Sequence, residues 1–445
     1  MRTTRPAPSG TRGTNRSAPS RTRRRNRLTV AAATGVALSA LTAAALPGDV
    51  NRPPSQESRN GRAAGKPTFG KHYYVSLGDS FISGEGGRWA GNVAIKEDNT
   101  TNLYGTDRAS YKCRNDGTHC RHDPLRVYES YVNPLTGKNN GCHRSDVAEI
   151  NSAGFSHPKN LACSGAQTRH LLQDYFKGED VQLKQLENFV KDGEHKVRLV
   201  QISIGGNDVG FSGIIEQCIK GFLKPVGSTH CSKDEALTSR ARKALADLPQ
   251  AVHHVASRVK EITGNPRNKQ SGYRIALQSY PSPLPDAARY RTKREGYNRY
   301  HPNGCPFFND DTDWARAHLL KPLSEQIRKA ARAAAVDFLD LSNAFTGHEV
   351  CAEGTVQAVQ ADSRYGMDEK KAEWMRYLSV GYEGAPLPYS QGQQDESFHP
   401  NAFGQEALGV CLKKFYKVID DSQVPLERRC LNSGREIKTM EIRTM

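Results

Sequence analysis

Beyond residue 50 the 445-residue chain contains no run of 18 or more apolar residues, which excludes a protein of several membrane spans. It has no C-x-x-C and no cysteine pair followed by a spaced histidine pair, so a zinc framework has nothing to build on. No internal repeat is present. Acid is missing altogether from residues 1–46, which hold nine Arg. The formal charge of +16, 63 basic minus 47 acidic residues, therefore becomes 54 minus 47, or +7, for everything after. The basic signal belongs mostly to a leader, and no nucleic-acid partner is expected.

That leader is laid out like an export signal: a basic stretch ending in Arg23, Arg24, Arg25 and Arg27, then an Ala-rich apolar run from Leu28 to Leu46. Ala43 to Ala45 offer a cleavage site, and Thr22-Arg23-Arg24 hints at the twin-arginine route. Residues 1–46 are thus expected to direct secretion, with a retained single-span anchor as the competing reading. Residues 47–70, rich in Pro, Gly, Ser and Arg, read as a flexible linker. None of the ten cysteines lies in the leader, which fits an oxidising destination. Closing short loops costs least chain entropy, which favours sequential pairs: Cys113 with Cys120, Cys142 with Cys163, Cys218 with Cys231, Cys305 with Cys351, Cys411 with Cys430.

Length alone permits two or three domains or one large α/β domain with insertions. Tyr73 to Leu77 and Val197 to Ile204 are apolar runs stopped by glycine, as expected of buried parallel strands. Strands are also read at Tyr273 to Tyr280 and Val336 to Leu341. Helical patterns cover Val181 to Val190, Asp234 to Thr263, Trp314 to Ala335 and Pro400 to Tyr416, the last with Pro at its first position. Residues 88–145, polar and holding three Cys, look like a long stapled loop. Strands alternating with helices predict a parallel sheet between helix layers.

Ligands bind such sheets at the carboxyl ends of the strands. Three polar, glycine-containing turns fall there: Gly78-Asp79-Ser80-Phe81, Ser164-Gly165-Ala166 and Gly205-Gly206-Asn207-Asp208. A Ser directly after a strand can present its hydroxyl as a nucleophile and its N–H to a developing oxyanion; read blandly, it is a helix cap. The G-x-S-x-G elbow is absent around it. Asn207 can donate a neutral amide or simply occupy a turn. His399 alone among the 14 His has acids three and four residues upstream, Glu396 and Asp395; otherwise it is a surface histidine. His253-His254 reads as helix surface. Asn309 to Asp313 lacks the Gly and terminal Glu of a calcium loop and reads as a cap. Phe81 and Trp89 are candidates to line an acyl groove.

GDSFISGEG at 78–86, CSGA at 163–166, GGND at 205–208 and ESFHP at 396–400 together resemble, in order, the four blocks of the GDSL or SGNH hydrolases. The resemblance implies an α/β, three-layer α/β/α flavodoxin-like fold with a central parallel sheet and long disulfide-stapled insertions. It assigns residues 71–431 to the hydrolase domain and leaves 432–445 as a C-terminal tail. It also implies Ser80 as nucleophile, His399 as base, and an oxyanion hole of Ser80, Gly165 and Asn207. Glu396 stands where the family usually has Asp, with Asp395 or a backbone carbonyl as alternatives at the imidazole.

The activity so implied is that of a secreted esterase, lipase or phospholipase acting on a lipid, phospholipid or acylated glycan ester. No cofactor or metal is implied. A monomer with transient lipid-surface contact is expected. The alternatives are acyl transfer on the same site, or a non-catalytic cell-surface binding module.

Overall fold

Lys196–Ser203 (KVRLVQIS) carries Val197, Leu199, Val200 and Ile202, each no more than 1% exposed, a pattern that only a strand covered on both faces can bury. It lies at the heart of a seven-stranded sheet in a computed structural model that describes residues 71–87, 111–112, 121–122, 128, 140–224, 226–300, 303–356, 368–378 and 395–445. The stretches expected as export signal and linker, together with Trp89, Cys113 and Cys120, lie outside the described residues. The strands are β1 (His72–Gly78), β2 (Pro158–Asn160), β3 (Lys196–Ser203), β4 (Arg274–Gln278), β5 (Asp337–Asp340), β6 (Glu427–Asn432) and β7 (Met440–Thr444). Their order is β2-β1-β3-β4-β5-β6-β7, parallel throughout except for the antiparallel β6–β7 pair.

Adjacent residues of β1 point to opposite faces, and each meets a different helix layer. Tyr74 stacks on Phe155 and meets Tyr416 of α8 (Ala402–Asp420). Tyr73 meets Phe189 of α4 (Gln182–Val190). The layer with α4 also holds α6 (Glu235–Gly264), which packs against α3 (Thr168–Leu172) and α7 (Lys321–Ala334). On the other face α8 packs against α2 (Glu149–Ser152). This is the expected α/β/α sandwich, in one compact unit, Pro67–Met445. Among the described residues no helix is long and apolar enough to cross a membrane.

Besides the strands β2 and β6, for which no strand was expected, and the antiparallel β6–β7 pair, the structure departs from the sequence-based expectations at four places. The stretch expected as one helix over 314–335 is a helix from Asn309 to Ala315, a π-turn at Arg316–Leu320, then α7. Pro322 cannot donate to the ladder, and the wide turn just before it absorbs the break. α8 starts at Ala402 rather than at Pro400, because the Asn401 side chain caps it by accepting from Gly404 N at 3.1 Å. Phe211–Leu223, not expected as a helix, is α5. Finally, the last turn-free stretch of the expected tail, Met440–Thr444, is the edge strand β7, whose Ile442 pairs with Cys430 of β6; Met440 and Ile442 supply the period-2 alternation of a strand.

Candidate active site

The chain steps from β1 outward to β2 and then back to β3 on the other side of β1. Loops leaving β1 and β3 therefore diverge and leave a crevice at their carboxyl ends. Gly78 faces Ser203 in the ladder, so the turns beginning at Asp79 and Ile204 start side by side. Gly78 has φ +139°, and a Cβ there would lie 1.9 Å from the Ser203 carbonyl oxygen; only glycine permits this approach.

Ser80 opens the short helix α1 (Ser80–Ser83), capped by Asp79, whose Oδ1 accepts from Phe81 N at 3.2 Å. Asp79 Oδ2 accepts from the Tyr280 hydroxyl at 2.5 Å, and that hydroxyl accepts from Gly206 N at 3.1 Å. Tyr280 thus ties the turn after β1 to the turn after β3. Burial pushes the Asp79 carboxyl up to about 7, against the hydrogen bonds from Tyr280 and Phe81.

The second and third turns hold each other. Asn207 Nδ2 donates to Ala166 O at 3.0 Å, which fixes the amide with one hydrogen still to give. Asn207 O accepts from Gln167 Nε2 at 2.9 Å, and Asp208 accepts from Thr168 N at 3.1 Å and Thr168 Oγ1 at 2.6 Å. Gly165, with φ +81°, is carried by a segment bridged through Cys142–Cys163.

His399 reaches the crevice from the far end of the chain, with Nε2 at 2.7 Å from Ser80 Oγ. Its Nδ1 lies 3.2 Å from the Ser397 carbonyl oxygen. A carbonyl only accepts, so Nδ1 carries the hydrogen and Nε2 is left as an acceptor for the Ser80 hydroxyl.

Glu396, expected at Nδ1, does not meet the ring; its buried carboxylate accepts from the Tyr128 hydroxyl. Phe398 adopts φ +63°, and His399 N donates to Glu396 O. This tight turn presents the Ser397 carbonyl, not the Glu396 side chain, to the imidazole. Asp395 is exposed at the cavity rim.

Ser80, Gly165, Asn207 and His399 all line a cavity of about 670 Å3. One wall is α5, whose Phe211, Ile215, Ile219 and Leu223 recur every four residues as one stripe. Its other face turns Ile214 and Cys218 into the core, and Cys218–Cys231 ties the helix down. Leu320, Leu323, Leu378 and Phe398 also line the cavity, with Phe81 beside Ser80. The stripe was readable in the sequence as a 4-residue apolar spacing. Tyr280 had no such signal, since its contacts with Asp79 and Gly206 are distant along the chain.

Two further bridges are Cys305–Cys351 and Cys411–Cys430. Among the described residues one cluster has metal-ligand types, Cys218, Cys231 and Asp311. Its sulfurs are bonded to each other, and Asp311 already accepts from Cys231 N and Ser232 N.

Residues 76–407 match the GDSL-like Lipase/Acylhydrolase family. No match is found among curated proteins. The chain is similar to the solved structure of an extracellular lipase from Streptomyces rimosus, at 20% identity over 79% of this chain and 100% of that one, TM-score 0.42. It is also similar to an aryl esterase of M. smegmatis, at 11% identity over 78% and 99%, TM-score 0.32. A third likeness is to a carbohydrate acetylesterase from Sinorhizobium meliloti, at 11% identity over 64% and 90%, TM-score 0.28.

Proposed function

Since the chain belongs to the GDSL-like lipase/acylhydrolase family and is a carboxylic ester hydrolase, we propose that it cleaves esters of extended apolar acyl groups through an acyl-enzyme on Ser80. The observation that carries this reading is the 2.7 Å contact between His399 Nε2 and Ser80 Oγ in the cavity walled by the α5 stripe. Ser80 Oγ attacks the ester carbonyl while its proton passes to His399 Nε2. The oxyanion takes hydrogen bonds from the N–H groups of Ser80 and Gly165 and from the Asn207 amide. The imidazolium returns its proton to the leaving alkoxide, and water, activated by the same ring, releases the acid.

The first N–H groups of a helix have no intrahelical acceptor, which leaves that of Ser80 available for this role. The apolar stripe of Phe211, Ile215, Ile219 and Leu223 suits an alkyl chain better than a sugar ring, which would need polar partners. We place the enzyme outside the cytoplasm, a reading supported by the Arg-rich leader and by disulfides at Cys142–Cys163, Cys218–Cys231, Cys305–Cys351 and Cys411–Cys430.

A panel of esters of increasing acyl length, with a phospholipid and an acetylated glycan included, tests the reading. kcat/KM should climb with chain length, and Ile219→Trp should lower it roughly tenfold for long chains while sparing acetates. A fluorophosphonate should label Ser80. Preference for the acetylated glycan would overturn the acyl-chain assignment, faster transfer to an added alcohol than to water would make it an acyltransferase, and turnover of no ester would leave a binding module.

A further inference from the structure

The Ser397 carbonyl fixes the tautomer of His399 but brings no net negative charge to it. An imidazolium formed during the reaction therefore lacks, on its Nδ1 side, the carboxylate that usually accompanies it. A buried carboxylate does stand nearby, on the opposite edge of the ring. Glu85 is 1% exposed, and its Oε2 lies 3.9 Å from His399 Nε2. His143 Nδ1 holds Glu85 Oε1 at 2.7 Å, and the Ser164 hydroxyl donates to Oε2 at 2.5 Å. Glu85 N also donates to Ser80 O at 3.1 Å.

The geometry points to Glu85 as a positioning residue of the reaction: its charge stabilises the His399 imidazolium from the Nε2 side, in place of a triad acid, while its bond to Ser164 steadies the segment that carries Gly165. This rests on the reading of Ser80 and His399 as nucleophile and base. Burial pushes the Glu85 carboxyl up, but the facing His399 and the hydrogen bond and charge of His143 outweigh it and hold the carboxyl below its ordinary value.

The other titratable groups around this pair are Asp79 before α1, Asp208 after β3, Lys177 after α3 and Asp395 on the loop of His399. Asp79, pushed up to about 7, carries little charge below neutrality. Tyr128 stacks on His143 and donates to Glu396, so the expected acid supports Glu85 at one remove.

Glu85→Gln keeps the shape and removes the charge. It should lower kcat roughly 10- to 100-fold with KM within about threefold, and move the acid limb of kcat/KM about one unit to lower pH, because a ring without its anion protonates less readily. An unmoved acid limb would overturn the proposal and leave Glu85 as structural support, whatever happens to thermal stability. Should the Gln variant fail to fold, Glu85→Asp draws the charge back from the ring, and a smaller shift of the limb in the same direction is required. Failure of a fluorophosphonate to label Ser80 in the unaltered protein would sink the underlying reading instead.

Discussion

The two halves of the site are held by different kinds of structure. Ser80 and Asn207 follow strand ends paired in one ladder, Gly78 against Ser203, inside a core of residues such as Val75, Leu77 and Ile202. His399 sits on a turn that docks on another loop. Phe398 N donates to Arg376 O at 2.7 Å, Arg376 N to His399 O at 2.8 Å, and Asn401 N to Trp374 O at 3.0 Å. The first half inherits its geometry from a cooperative sheet, whereas the second depends on a few local contacts around the buried Trp374. Local opening free energies follow such contact density, so the half that carries His399 should slip first.

The largest effect tests the contact that joins the halves. His399→Ala should lower kcat by roughly 10^5 while leaving the circular dichroism of the sheet unchanged; residual activity within a hundredfold would mean that another group takes the proton. Next comes the strand-end half. Asn207→Ala should cost about 100- to 1,000-fold in kcat with little change in KM, and a change confined to KM would make Asn207 a binding or turn residue.

The docking of the loop is the third test. Trp374→Ala should cost about 3 to 5 kcal/mol, and activity should disappear at lower urea than the sheet signal does. Coincident midpoints would show that the two halves unfold together, against the contrast drawn above.

A fourth test sits in the strand-end half. Burial pushes Glu149 up to about 7, against hydrogen bonds from Gln278 and Gln201. A carboxyl whose pKa is raised on folding binds protons more readily in the native state. The stability this gives is complete below about pH 4 and is lost as pH rises through about 7. Glu149→Gln should therefore flatten the fall in unfolding free energy between pH 5 and 7, measured by urea titration.

The smallest effect on activity is expected from Glu396→Gln. Because the Glu396 carboxylate meets Tyr128 and not His399, kcat should stay within about threefold while stability falls by about 1 kcal/mol. A loss of several hundredfold would restore Glu396 to the ring.

Much of the fold was legible because its signals are local. The apolar runs at 73–77 and 197–204 can be buried only as internal strands, and the 235–264 pattern only as an amphipathic helix. The turns carrying Ser80, Gly165 and Asn207 were legible because glycine and polar residues after an apolar run mark a strand end. The tail was misread because Met440–Thr444 is short and becomes a strand only once β6 supplies the partner edge. The α5 stripe is regular in its spacing, but that it lines a cavity rather than the core is decided by the tertiary structure.

Sequence by itself determined the alternation of strands and helices and the candidate groups for the chemistry, since each is written in residues adjacent along the chain. Only the tertiary structure decided which of these groups meet. Ser80 and His399 are 319 residues apart, and the choice of the Ser397 carbonyl over Glu396 turns on the φ of +63° at Phe398. The approach of Glu85 to the same ring likewise depends on how two distant loops seat against one sheet edge. Strand register and loop docking are set by packing across the whole molecule, and no local pattern encodes them.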